Sequence, residues 1–317
     1  EKDTDAISSF FTAQLPVAAH ESEGFFEKLY LFQSYCWYAF ISQDFLMHYR
    51  YSNKWIALFD DQPQMRRIET PYYIKGMHNL LNAHFMLRNY KKFESELHRF
   101  ETFYQSKEGN ITINSQVQTF VYLYLAKLNK HFLEGSFSEG LKLVPYIETQ
   151  LKEFELQLDR HRTLVFYYKI ACLYFGSGDF NHSVDYLNKI IHWKADLRSD
   201  LQCYARLLHL ISHYELGNDM ILESQIRSVF RFMSKMQNLS IVEKEIFSFL
   251  RNAFRLNKVQ IKKEFIRLHA ELKLIKDNPH ESRSFMYLDI LSWLESKIKN
   301  TPVQEVIHQQ FKSRAKA

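Results

Sequence analysis

Residues Tyr167 to Ile191 read YYKIACLYFGSGDFNHSVDYLNKII. Tyr167, Ile170, Ala171 and Tyr174 are three or four apart, so on a helix they form a single stripe. Phe180, Ser183, Val184, Leu187 and Ile191 repeat that spacing on a second helix. Gly178 and Asp179 stand between the two, where a chain reversal needs a left-handed residue and then a helix cap. Small side chains at Ala171 and Ser183 let the two backbones approach closely. The segment therefore reads as a helical hairpin whose two stripes face each other.

The rest of the 317-residue chain repeats this pattern with variations. Met77, Leu80, Leu81 and His84, then Arg88-Asn89, then Tyr90, Phe93, Leu97 and Phe100 form a hairpin over 71–106. Thr70-Pro71 reads as its cap and first helical residue, and Gly109-Asn110 as the turn that follows. Tyr124, Leu128 and Phe132 lead through Gly135 to Phe137, Gly140, Leu141, Val144 and Ile147. Pro145 is expected to kink that return helix, which would run to about Leu158. Leu207, Leu210, Ile211 and Tyr214 precede Gly217-Asn218 and a helix from Met220 to Met236.

The outer parts of the chain follow the plan loosely. Helices are expected over 23–41 and 45–59, with Ile7, Phe10, Phe11 and Leu15 forming a short N-terminal cap that ends at Pro16. A further hairpin is expected over 240–276, a break at Asn278-Pro279, and closing helices over 281–299 and after Thr301-Pro302. Eight glycines and six prolines are few for this length, which favours long helices and short turns.

The hairpin 167–191 resembles a tetratricopeptide repeat. Tyr167, Ile170, Ala171, Tyr174, Gly178, Phe180 and Ser183 stand at the family's signature positions, and Ile190 departs from the small residue usual there. The resemblance implies an all-α fold, a right-handed superhelical solenoid of antiparallel hairpins with terminal capping helices, about fourteen to sixteen in all. The chain would form a single array over 1–317: divergent helices over 1–60, recognisable repeats over 71–236, and a divergent hairpin with capping helices over 240–317.

In that family the first helices of successive hairpins line a concave groove. The matching residues here are Lys75, His78, Asn82 and Phe85, then Tyr122, Leu125, Asn129 and Phe132, then Val165, Tyr168, Cys172 and Phe175. Asn82 and Asn129 fall where carboxylate-gripping members use Asn beside Lys or Arg. His78 replaces the usual Lys, so a general peptide groove of aromatic and amide character fits better. The implied function is a non-enzymatic interaction module that binds a peptide or helical segment of another protein. The alternatives are a regulatory phosphatase or peptide sensor built on such repeats, and nucleic-acid binding through the C-terminal region.

Chemistry-bearing patterns are few. The sequence holds no GxGxxG, GxxxxGK[ST], GxSxG or HExxH, and no cofactor or enzymatic activity is expected. His209 and His213 have the spacing that aligns two imidazoles, without a third ligand placed by sequence. Cys36, Cys172 and Cys203 stand singly, which suits a reducing cytoplasm better than a disulfide framework. From Arg251 onward there are 14 Lys/Arg against 7 Asp/Glu, so the positive excess is C-terminal. Solvated helix faces account for this more simply than nucleic acid, for which no binding is expected. No apolar run reaches the length of a membrane span.

Overall fold

The computed structural model describes residues 9–11, 13–15, 24–106, 112–193, 199–236, 239–253, 255–276 and 289–316. Within these residues the chain is all-helical, with sixteen α-helices and no strand. Contacts divide it into two compact units, Glu1–Leu133 and Glu134–Ala317, and the boundary falls inside the 71–236 stretch. Ile7, Pro16, Gly109-Asn110, Asn278-Pro279 and positions 281–288 lie outside the described residues.

In the first unit α1 (Phe25–Ile41) pairs with α2 (Phe45–Asp61), and α4 (Thr70–Met86) with α5 (Tyr90–Ser106). The short α3 (Met65–Ile68) bridges the pairs, and α6 (Ile113–Glu134) follows. Asp44 caps α2 by accepting from the Met47 amide at 2.8 Å. The core is built from the residues that the stripes select: Leu29, Phe32 and Cys36, Trp55 and Phe59, Met77 and Leu80, Phe93 and Phe100 are all buried. Asp60, at the end of α2, accepts hydrogen bonds from Arg66 and Arg99 and so ties α2 to α5.

Thr70 departs from its expected role. The helix already includes it, and its hydroxyl donates to the Arg66 carbonyl at 2.8 Å. The residue thus closes α3 and does not cap α4, because α3 leaves carbonyls one turn back that need a donor.

The second unit begins with α7 (Phe137–Gly140), a 3₁₀ turn (Leu141–Leu143) and α8 (Val144–Glu153). Pro145 stands in the first turn of α8. Its missing amide costs nothing there, and the chain breaks before it where a kink was expected. The helix ends at Glu153, short of Leu158. The hairpin over 167–191 is formed by α9 (Arg160–Ser177) with α10 (Phe180–Ile191). Ser183 Oγ donates to the Ala171 carbonyl at 3.0 Å, so the two small residues do bring these backbones together. Tyr186 of α10 donates to Glu148 of α8 at 2.5 Å.

Helices α11 (Ser199–Glu215), α12 (Asp219–Met236), α13 (Ile241–Ala253), α14 (Lys258–Ile275), α15 (Ile290–Lys299) and α16 (Val303–Lys316) complete the second unit. Trp293 Nε1 and Lys297 Nζ of α15 donate to the Glu215 carboxylate, whose side chain is 8% exposed, at 2.5 and 2.6 Å. The last helix returns to the start of the unit: His308 Nδ1 donates to the Glu134 carbonyl at 2.8 Å, and Ser138 Oγ to Gln304 at 2.9 Å.

Gly135 and Gly178 both turn the chain with positive φ, +69° and +89°. A Cβ on Gly178 would meet nothing within 4 Å, whereas one on Gly135 would lie 2.5 Å from the His308 amide nitrogen and 2.6 Å from the Gln304 carbonyl oxygen. Gly178→Ala is expected to lose about 1–2 kcal/mol for the left-handed backbone alone. Gly135→Ala adds overpacking against backbone and should lose about 2–5 kcal/mol in all. Urea unfolding of the two variants measures the difference, and equal losses would contradict the seating of α16 on this turn.

Candidate functional site

One surface of the first unit gathers large side chains, some of them exposed and others, Tyr72 and Tyr122 among them, packed along the edge of the core. On α1, Leu29, Phe32, Cys36 and Ala39 point inward, while Phe26, Tyr30, Trp37, Phe40 and Ile41 occupy a second, exposed face. Trp37 is 54% exposed. Rings pass from this face to the next pair: Tyr30 and Tyr72 of α4 meet edge to face at 5.9 Å, with hydroxyls 3.5 Å apart. The Lys75 ammonium stands 5.1 Å from the centre of the Trp37 ring. One turn further on, His78 stacks on Tyr122 of α6, centroids 4.0 Å apart and planes 15° from parallel.

Lys75 gives this row its charge. Burial holds its ammonium below the usual lysine range, and among the described residues no carboxylate lies within ion-pair distance. Asn79 is held beside it, its amide donating to the Lys75 carbonyl at 2.7 Å and its Oδ1 lying 3.2 Å from His48 Nε2. A half-buried cation over an indole, between tyrosine hydroxyls and amides, can recognise apolar, amide and acidic groups of a ligand.

The expected groove residues divide between this surface and the interior. Lys75, His78 and Tyr122 belong to the row, and Asn82 is half-buried one turn along α4. Phe85 packs against the first core. Phe132 is half-buried, and Asn129 is buried at 9% exposure. Tyr168 belongs to the second unit and is buried at 4%. Its helix α9 is apolar nearly all round, with Leu164, Phe166, Ile170, Leu173 and Phe175 also buried, so repeat position did not reveal which face is open. Tyr30, Trp37 and Tyr72 were missed. A signal for two of them exists in α1, where Phe26, Tyr30, Trp37 and Ile41 form a second apolar stripe at helical spacing.

In the second unit a cleft of about 400 Å³ is lined by Phe175, Ser177, Glu215, Ser296, Lys297 and Thr301. Ser177 and Ser296 spend their hydroxyl protons on the Tyr174 and Trp293 carbonyls, and Glu215 is neutralised by Lys297. The cleft therefore presents no activated nucleophile. His209 and His213 lie side by side with ring centroids 4.4 Å apart, both buried, and no group of three metal-ligating side chains occurs among the described residues. No helix there is long and apolar enough to cross a membrane.

The chain matches no family model, no curated protein and no solved structure. Its class rests on its own architecture, an all-helical protein in which consecutive helices pack on one another.

Burial pushes the imidazoles of His84 and His209 down to about 4, with the Lys92 charge adding to the shift in the first and His213 in the second. Between pH 4 and 6.5 the folded chain keeps them neutral while the unfolded chain binds protons, so stability rises with pH across that window. Acidifying from neutrality to pH 4 should cost up to about 3 kcal/mol for each histidine. Denaturation at a series of pH values should show this loss, reduced in His84→Gln and in His209→Gln. An unchanged slope in both variants would place the acid sensitivity elsewhere.

Proposed function

We propose that the chain is a non-enzymatic protein-interaction module that binds a peptide or helical segment of a partner protein on the α1–α4–α6 surface of the first unit. The observation that carries this reading is the row Tyr30, Tyr72, Trp37, Lys75, His78 and Tyr122, in which rings and a cation without a carboxylate partner reach the surface together. Aromatic side chains beside a cation resemble the compact hot spots of protein interfaces, where a few such residues supply most of the affinity. The row's partly desolvated ammonium favours an acidic group on the incoming segment. The proposal includes right-handed hairpin stacking of the tetratricopeptide-like kind, supported by the pairing of consecutive helices within each unit and by the Ser183–Ala171 contact.

The test begins with affinity isolation from the native cell and continues with calorimetry on the partner obtained. Trp37→Ala should weaken binding by about 2 kcal/mol or more, the scale of a central aromatic anchor. Lys75→Met should weaken it by about 1–3 kcal/mol through the lost charged contact, and Asn82→Ala by less. Circular dichroism and melting should be nearly unchanged, since Trp37 is exposed and Lys75 and Asn82 are half-buried. A partner that binds Trp37→Ala and Lys75→Met as tightly as the native chain would move the site off this surface.

A further inference from the structure

Helix α14 is anchored by one side only. Phe265, Leu268 and Leu272 are buried, and the Phe265 ring lies 5.0 Å from Phe249 of α13 and 5.7 Å from Trp293 of α15. Its start is fixed by a capping box, in which Asn257 accepts from the Val259 and Gln260 amides while Gln260 returns a bond to the Asn257 amide. At about 100° per residue, the side opposite the anchor carries Val259, Ile266, Ala270 and Leu274. Val259, Ile266 and Leu274 are 67%, 48% and 86% exposed. The four fall within a sector about 80° wide and roughly 22 Å long.

The flanks of this line are basic. Lys262 and Lys273 stand along one side and Lys263 lies within the sector itself, between Val259 and Ile266, all exposed and none paired with a carboxylate among the described residues. The helix's acids are already engaged: Arg267 holds Glu264 at 2.9 Å and Glu271 at 2.5 Å, and reaches Glu245 of α13 at 3.7 Å. Among the described residues, an apolar line without a facing element is thus bordered and interrupted by uncompensated positive charges.

We propose that this face docks an amphipathic helix of a partner protein whose apolar seam is bordered by Asp and Glu. Val259 and Ile266 are seven residues apart with Lys262 and Lys263 at the intervening seam position, and Ile266, Ala270 and Leu274 follow at steps of four, close to the seam spacing of two packed helices. Ala270 at the centre leaves room for a partner side chain. The line is one residue wide per turn, narrower than the broad face that a helix lays into a lipid boundary, and it carries none of the aromatic residues typical there. Nucleic acid would use the lysines and leave Val259, Ile266 and Leu274 in water. The site is separate from the aromatic row of the first unit and stands or falls independently of it.

The test uses the full chain and a fluorescein-labelled helical peptide of three heptads with Leu at both seam positions and Glu at the flanking positions, followed by anisotropy. Binding is expected, with affinity falling as salt rises. It should weaken at least about tenfold in Ile266→Glu and in the triple variant Lys262→Glu, Lys263→Glu, Lys273→Glu. A peptide with Lys in place of the flanking Glu should bind the triple variant better than the native chain. All changes are at exposed positions, so melting temperatures should stay put and report any misfolding directly. Three outcomes would overturn the proposal: no peptide binding by the native chain, affinity indifferent to both variants, or tighter binding to phosphatidylserine vesicles or duplex DNA that the same variants abolish.

Discussion

The hydroxyl of Ser183 reaches the Ala171 carbonyl across the gap between α9 and α10, at 3.0 Å. A bond of that length between two helices requires their axes to be unusually close, and only small side chains at both positions allow it. Most of the chain works under the opposite condition. With 27 phenylalanines and 19 tyrosines to seat, helices are held apart by rings such as Phe59 against Tyr73 and Tyr73 against Phe103, at centroid distances of 5.5 and 4.8 Å. Where a small residue is missing, the rings set the spacing, and those only partly covered by the neighbouring helix emerge on the surface. Trp37 and Tyr30 are such residues, and so the packing rule that builds the core also furnishes the candidate site.

Charged groups fasten what the rings have spaced. Asp60 joins α2 to α3 through Arg66 and to α5 through Arg99, Glu215 joins α11 to α15 through Trp293 and Lys297, and Lys130 pairs with Glu94 across α5 and α6 at 2.8 Å. Exposed pairs of this kind contribute little, typically under about 1 kcal/mol. The Glu215 cluster differs, because the carboxylate side chain is only 8% exposed and removing either donor strands a buried charge.

Much of the fold was legible because it depends on local rules. Gly135, Gly178 and Gly217 mark turns since their backbones adopt positive φ, and the stripes around Met77 and Leu207 mark buried faces since helical period fixes which residues share a side. Pro145 signalled a disruption, though period alone could not say that the helix would restart at it. The candidate surface was legible in part: repeat position pointed to Lys75, His78 and Tyr122, but Trp37 and Tyr30 sit on a helix with two apolar stripes, and pattern cannot say which of two is covered. Tyr168 is buried for the related reason that α9 is apolar nearly all round. The approach of α16 to Gly135 left no trace in spacing, because no periodicity spans a separation of 174 residues.

That last contact has a bearing on how the chain is made. The turn at Gly135 leaves the ribosome long before the backbone of Gln304 and His308 that will press against it. At roughly 5–20 residues per second, the interval is on the order of 10 to 35 s. Throughout it, the Glu134 carbonyl and the Ser138 hydroxyl face solvent or a chaperone where they will later face α16. The second unit is therefore a structure whose opening turn waits for a late helix, and its nascent form has a gap at that turn that the finished protein lacks.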